Sequence, residues 1–232
     1  MMTTTGLMAS TIESEKDFFT ISRMEVKEVK KDIFGNELYE DVSSSLKSSR
    51  EENPQNPVDP TESAGKVIKV AKDLVALGED VYKLVIKGKP ANVTSYAPIS
   101  VIPRVNGEAV DLLETENWGA PVKRSYDVKY ENPYGATVVA FRYSIIYSYN
   151  GSYAGKGYYL TSVQIIPEFV RTLFGFNFTA TMKLGGIQNQ GTRENPVAGA
   201  TLLIEYTVSS VMVANNSVDS FFITGLGGFK KL

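Results

Sequence analysis

Ser44 with Lys47, and Ser63 with Lys66, satisfy the S-x-x-K spacing of a serine–lysine nucleophile. That chemistry needs a lysine stripped of water, so that its pKa falls and it can take the serine proton. Ser44 lies in the polar run SSSLKSSREENPQNPVDP and Ser63 opens a helical pattern, so neither setting predicts burial. Asp111, Glu114 and Glu116 crowd the segment VDLLETENW. Grouped acids of this kind can hydrolyse glycosidic bonds or hold calcium. Their spacing matches no EF-hand, and an acidic loop between strands is ordinarily just solvated.

The glycine-rich stretches fail on position. Between Gly151 and Gly155-Lys156 lie three residues where a phosphate loop has four, and Gly157 stands where Ser or Thr would bind magnesium. Gly225-Leu226-Gly227-Gly228 begins like a dinucleotide loop, but Lys230 takes the third glycine's place. Gly151-Ser152-Tyr153-Ala154-Gly155 sets its serine one position early for a nucleophile elbow. The 232-residue chain contains neither His nor Cys. That removes His-based triads, thiolate nucleophiles and the common zinc and iron–sulfur ligand sets. The expectation is a non-enzymatic protein with no catalytic residue, no metal site and no cofactor.

What remains is a surface. The segment YSIIYSYNGSYAGKGYYL carries Tyr153, Tyr158 and Tyr159 around a Gly/Ser/Lys tip. Exposed tyrosines on such a tip bind a protein partner, a glycan or a lipid headgroup. Trp118, beside the acidic loop, can stack on a sugar or close the end of a β-fold. The bland reading of the tyrosines is likewise that they cover the open end of the fold. Net charge is −2, so no global field attracts nucleic acid.

Three zones must position these residues. Residues 1–60 hold 7 basic and 12 acidic residues and read as an acidic N-terminal arm with a linker. Ile33, Phe34, Leu38, Tyr39, Val42 and Leu46 recur there at helical spacing, while Thr20–Val26 also suits a strand. Pro54, Pro57 and Pro60 fall every third residue, the period of a polyproline II spacer.

Residues 61–90 predict an amphipathic helix over 60–87, with Asp59, Pro60 and Glu62 as its capping box. Its apolar arc spans roughly 200° and includes Val67, Leu74, Val81 and Val85 as the helix interface. So wide an arc packs on a sheet, on a neighbouring subunit or in a bilayer surface.

Residues 91–232 carry 20 of the 25 aromatics and alternate with period two. They predict an antiparallel β-sandwich of about eight strands, with a barrel as the alternative. Turn signals stand at Asn106-Gly107 and Asn150-Gly151, and a bend follows Ser209-Ser210. Phe174, Phe176, Phe178, Ala180, Met182 and Leu184 form one expected core face.

The function expected from this plan is a structural or binding β-sandwich acting through self-assembly or partner contact. The alternatives are a membrane-active protein, pore-forming or lipid-binding, that uses the 60–87 helix and the Tyr-rich tip, and a carbohydrate-binding sandwich. The start has no basic region followed by an apolar run, and no stretch reaches the roughly 20 apolar residues of a membrane span. Sequons at Asn92, Asn150, Asn177 and Asn215 lean toward an extracytoplasmic or particle-surface location.

Overall fold

Period-two alternation of aromatic and β-branched residues dictates strands, and strands dominate the result. The computed structural model describes residues 16–32, 34–42, 67–71, 73–78, 81–86 and 98–232; within 81–86, Leu84 is the one side chain described. In chain order the strands are β1 (Arg23–Lys31), β2 (Glu37–Asp41), β3 (Val67–Ala71), β4 (Leu74–Leu77), β5 (Val81–Ile86), β6 (Ile99–Val105) and β7 (Glu108–Ala109). They continue as β8 (Val122–Glu131), β9 (Thr137–Tyr153), β10 (Lys156–Thr172), β11 (Asn177–Asn189), β12 (Ala198–Ser209), β13 (Ala214–Thr224) and β14 (Phe229–Lys231).

Two antiparallel sheets face each other, sandwich-like. The larger runs β2-β1-β8-β9-β10-β6-β4-β3, with β7 paired to β6, and the smaller runs β14-β13-β12-β11-β5. Tyr126, Val128 and Tyr130 of β8 and Val139, Phe141, Tyr143, Ile145 and Tyr147 of β9 line one inner wall. Phe178, Ala180, Met182 and Leu184 of β11, Leu202, Ile204, Tyr206 and Val208 of β12, and Phe221 and Ile223 of β13 line the other. Phe141 meets Phe178 with ring centroids 4.9 Å apart, and Tyr126 meets Phe221 at 5.0 Å. Each such ring contributes about 1.5–3 kcal/mol by leaving water.

Among the described residues, the span expected to be a helix over 60–87 forms strands instead. Residues 67–71, 74–77 and 81–86 are strands β3, β4 and β5, in two different sheets. Val67 of β3 pairs with Leu77 and Leu74 of β4 with Ala71, while Val81 and Val85 belong to β5 and pair with Lys183 and Thr179. Val67, Ile68, Val70, Val75, Val81, Val85 and Ile86 are β-branched and lose rotamer freedom in a helix. Gly78 ends β4 at φ +131°, where a Cβ would lie 2.6 Å from the Pro98 carbonyl oxygen. No helix can continue through that point. The capping box at Asp59, Pro60 and Glu62, and the Pro-spaced linker, fall outside the described residues.

The arm also differs from its helical spacing. β1 and β2 form a hairpin whose turn is organised by Asp32: its Oδ1 accepts the Phe34 and Asn36 N–H groups, both at 2.8 Å. β1 pairs with β8 from Arg23–Glu131 to Val29–Ser125, so residues read as an arm are part of the larger sheet. The described strands number fourteen rather than about eight because the first two zones contribute five of them.

Among the turns, Asn106-Gly107 joins β6 to β7 with φ of 52° and 90°, as its sequence requires. Asn150-Gly151 does not turn; β9 runs through it, and the reversal comes at Ala154-Gly155, φ 49° and 69°. The bend after Ser209 is the β12–β13 turn, closed by Ser210 N–H to Val213 O at 2.8 Å. Phe174 leaves the expected core face. It sits in the Leu173–Phe176 turn, with Gly175 at φ +86°, and is 91% exposed.

Candidate functional site

The sequence-selected residues meet at one end of the sandwich, where β9 turns into β10. Asp111 caps a 3-10 turn at Leu112–Glu114 by accepting the Leu113 N–H. The chain then returns along β9: Glu116 and Ser152 exchange backbone hydrogen bonds of 2.9 and 2.8 Å. This lays the Trp118 indole flat on Gly151, where a Cβ would lie 2.2 Å from the ring. Gly151 therefore serves close approach rather than chain reversal. The Trp118 Nε1–H donates to Thr115 Oγ1 at 3.0 Å, so the half-buried indole is fixed at its polar edge as well.

Of the three tyrosines, Tyr153 and Tyr158 are half-buried and Tyr159 is buried. The Tyr159 hydroxyl lies over Gly157, and the exposed tip is reduced to Ala154, Gly155 and Lys156. Tyr158 N–H bonds to Pro196 O, and Gly157 N–H to the Asn195 side chain, so the 190–197 loop buttresses the tip. Asp111, Glu114 and Glu116 are exposed, and among the described residues no group of three acids is placed to hold a metal ion.

Charged groups within the fold pair with one another. Asp219 is buried between the sheets; its Oδ2 accepts Tyr206 OH at 2.8 Å and Tyr143 OH at 3.3 Å, and its Oδ1 meets Lys231 Nζ at 2.7 Å. Burial, with the Asp219 charge adding to it, pushes both phenols well above their ordinary value, so they remain donors. Lys231 also donates to Val42 O at 3.0 Å, tying the end of β2 to the C-terminal strand.

On the outer face of the larger sheet, Arg142 grips Glu37 through two hydrogen bonds of 2.8 and 3.0 Å and bonds Asp127 on its other side. Arg142 and the Tyr39 hydroxyl hold the Glu37 carboxyl down at about 2. A depressed folded-state pKa means this tie is fully present above the ordinary carboxylate value and is lost as pH falls through about 2. A carboxyl-detected NMR titration is expected to show Glu37 ionised to about 2, and Arg142→Ala to return it toward its ordinary range. Titration of Glu37 alongside the solvated glutamates would mean the Arg142 grip does not form.

No known family model, curated protein or solved structure matches the chain. No helix among the described residues is long and apolar enough to cross a membrane.

A second surface, at the opposite end of the sandwich, escaped the sequence reading. Three turns converge there: 132–136, Leu173–Phe176 and Ser210–Val213. Residues 16–19 link them, because Ser210 Oγ donates to Phe19 O, Asn132 Nδ2 to Phe18 O, and the Phe19 ring covers Gly175. Phe174, Val211 and Met212 are exposed on these turns, at 91%, 80% and 47%. The available signal was the Leu-Phe-Gly-Phe run, a turn with glycine third, concealed within an apparently regular alternation.

Proposed function

We propose that the protein is a non-enzymatic structural or binding β-sandwich that works by self-association. The observation supporting this is the set of exposed apolar residues on adjoining turns at one end: Phe174, Val211 and Met212. Isolated exposed apolar residues are ordinary, but several on converging turns form the kind of patch that other surfaces cover. The opposite, tyrosine-bearing end has its aromatics largely packed, which disfavours the stacking platform a glycan reader needs. The bilayer-inserting alternative is disfavoured because Val67–Ala71, Leu74–Leu77 and Val81–Ile86 are strands rather than turns of a helix.

Light scattering across a concentration series tests the reading. The full chain is expected to be oligomeric, and Phe174→Asp with Val211→Asp to shift it toward monomer while leaving its circular dichroism unchanged. A chain that is monomeric at every concentration would remove self-association. Release of dye from liposomes would move the same patch to the membrane reading.

A further inference from the structure

We propose that residues 16–42 are exchanged between copies of this chain, the β1–β2 hairpin of one protomer pairing with β8 of another. The proposal rests on self-association and adds to it a second contact between copies, separate from the Phe174, Val211 and Met212 patch. The hairpin is attached in the manner of a detachable strand pair. Its ladder to the sandwich is one edge, Arg23–Val29 against Ser125–Glu131. Val26 is the one residue of β1 that is buried, and every residue of β2 is exposed.

Its other ties include Glu28 to Arg124 at 2.8 Å, Glu37 to Arg142 and Val42 O to Lys231, with Ile21, Met24 and Val42 partly buried against the core. At the other end of the segment, Phe19 seats over Gly175 and against Phe176, with ring centroids 6.0 Å apart. All these partners lie in residues 124–231. The whole segment thus docks as one piece on the C-terminal part of the chain.

Covalent connection to that part passes through residues 43–66, which separate Val42 from Val67 in sequence. β2 and β3 are the opposite edges of the larger sheet. At about 4.8 Å per strand step, that sheet is roughly 34 Å across from one edge to the other. A connection of this length reaches up to about 80 Å, so the same hairpin can serve its own sandwich or a neighbour's. The second copy is the fitting occupant because β8, Arg142, Lys231 and Gly175 are already shaped to this segment. Reciprocal exchange gives a closed two-fold dimer with identical contacts.

The absence of cysteine makes the test clean, since introduced thiols are the only ones present. Glu25 and Lys129 are directly opposed on β1 and β8. Opposed residues of an antiparallel pair have Cα atoms about 4.5–5.5 Å apart, within disulfide range. Chains carrying Glu25→Cys and Lys129→Cys are co-expressed, oxidised and run without reductant. Exchange predicts a heterodimer band at twice the chain mass, absent when Glu25→Cys is paired with Lys230→Cys. An oligomer by light scattering that gives no such band would overturn exchange and leave self-association standing, especially if one chain carrying both cysteines closes on itself. A monomer by light scattering would overturn both.

Discussion

Asp219→Ala is expected to destabilise the protein by about 3–5 kcal/mol, measured as a fall in the urea midpoint at unchanged slope. The carboxylate is buried at 3% exposure and has three partners. Its removal leaves the Lys231 ammonium without its counter-charge and takes from the buried phenols of Tyr143 and Tyr206 the acceptor they share. Unmet donors in an apolar interior each cost about 1–3 kcal/mol. The pair itself need not be strongly stabilising, because taking two charges out of water consumes much of their attraction. Asp219→Leu combined with Lys231→Met should therefore recover a large part of the loss. A cost for Asp219→Ala below about 1 kcal/mol would show that Lys231 and the phenols find water or other acceptors. Because Lys231 also holds Val42 O, the single variant should loosen the β1–β2 hairpin as well, seen as faster amide exchange in residues 23–41.

Gly225→Ala is the second large effect, at or above about 3 kcal/mol, the upper end for overpacking. Gly225 is where the sheets touch backbone to backbone: its N–H donates to Ala198 O at 2.7 Å, and its carbonyl accepts Asn150 N–H at 2.9 Å. A Cβ at this position would lie 2.0 Å from the Tyr158 carbonyl oxygen and 2.4 Å from its carbon. Backbone cannot swing aside as a side-chain terminus does, so a methyl group must part β10 from the β13–β14 turn. Trp118, the one tryptophan, packs on Gly151 next to Asn150 and reports the event. Its emission should shift to longer wavelength as the end opens. A wild-type melting temperature for Gly225→Ala would mean the two sheets are not in contact there.

Much of the fold was legible because its cause is local. Alternation in TVVAFRYSIIY and in ATLLIEYTVS specifies strands whose odd or even residues face inward, and both ladders formed with those faces buried. Asn106-Gly107 likewise carries its own turn, since positive φ at both positions is a property of the two residues. Local pattern misled where two periods fit the same residues. Between Val67 and Ile86 apolar residues are so dense that a helix and successive strands are equally well patterned. The choice fell to partners far away in sequence: β11 beside β5, and β6 beside β4.

The candidate surface divides in the same way. Residue types alone gave the absence of His and Cys, and with it the loss of whole classes of mechanism. They also singled out Trp118 and the tyrosines as separate candidates, and β9, β10 and the Glu116–Ser152 bridge brought Trp118 and Tyr153 to one end. Which of those aromatics is exposed was decided by packing that no local pattern encodes: Tyr159 over Gly157, Trp118 on Gly151, and the 190–197 loop against Tyr158. Phe174 shows the converse: the buried alternation begins at Phe176 because Phe176 N–H bonds back to Leu173 O and closes a turn through Gly175 at φ +86°. Sequence thus determined that this chain would be β-rich and that any chemistry it does would work without His or Cys. Tertiary structure alone decided which apolar residues stay outside, because exposure depends on what the opposing sheet and the distant turns leave uncovered.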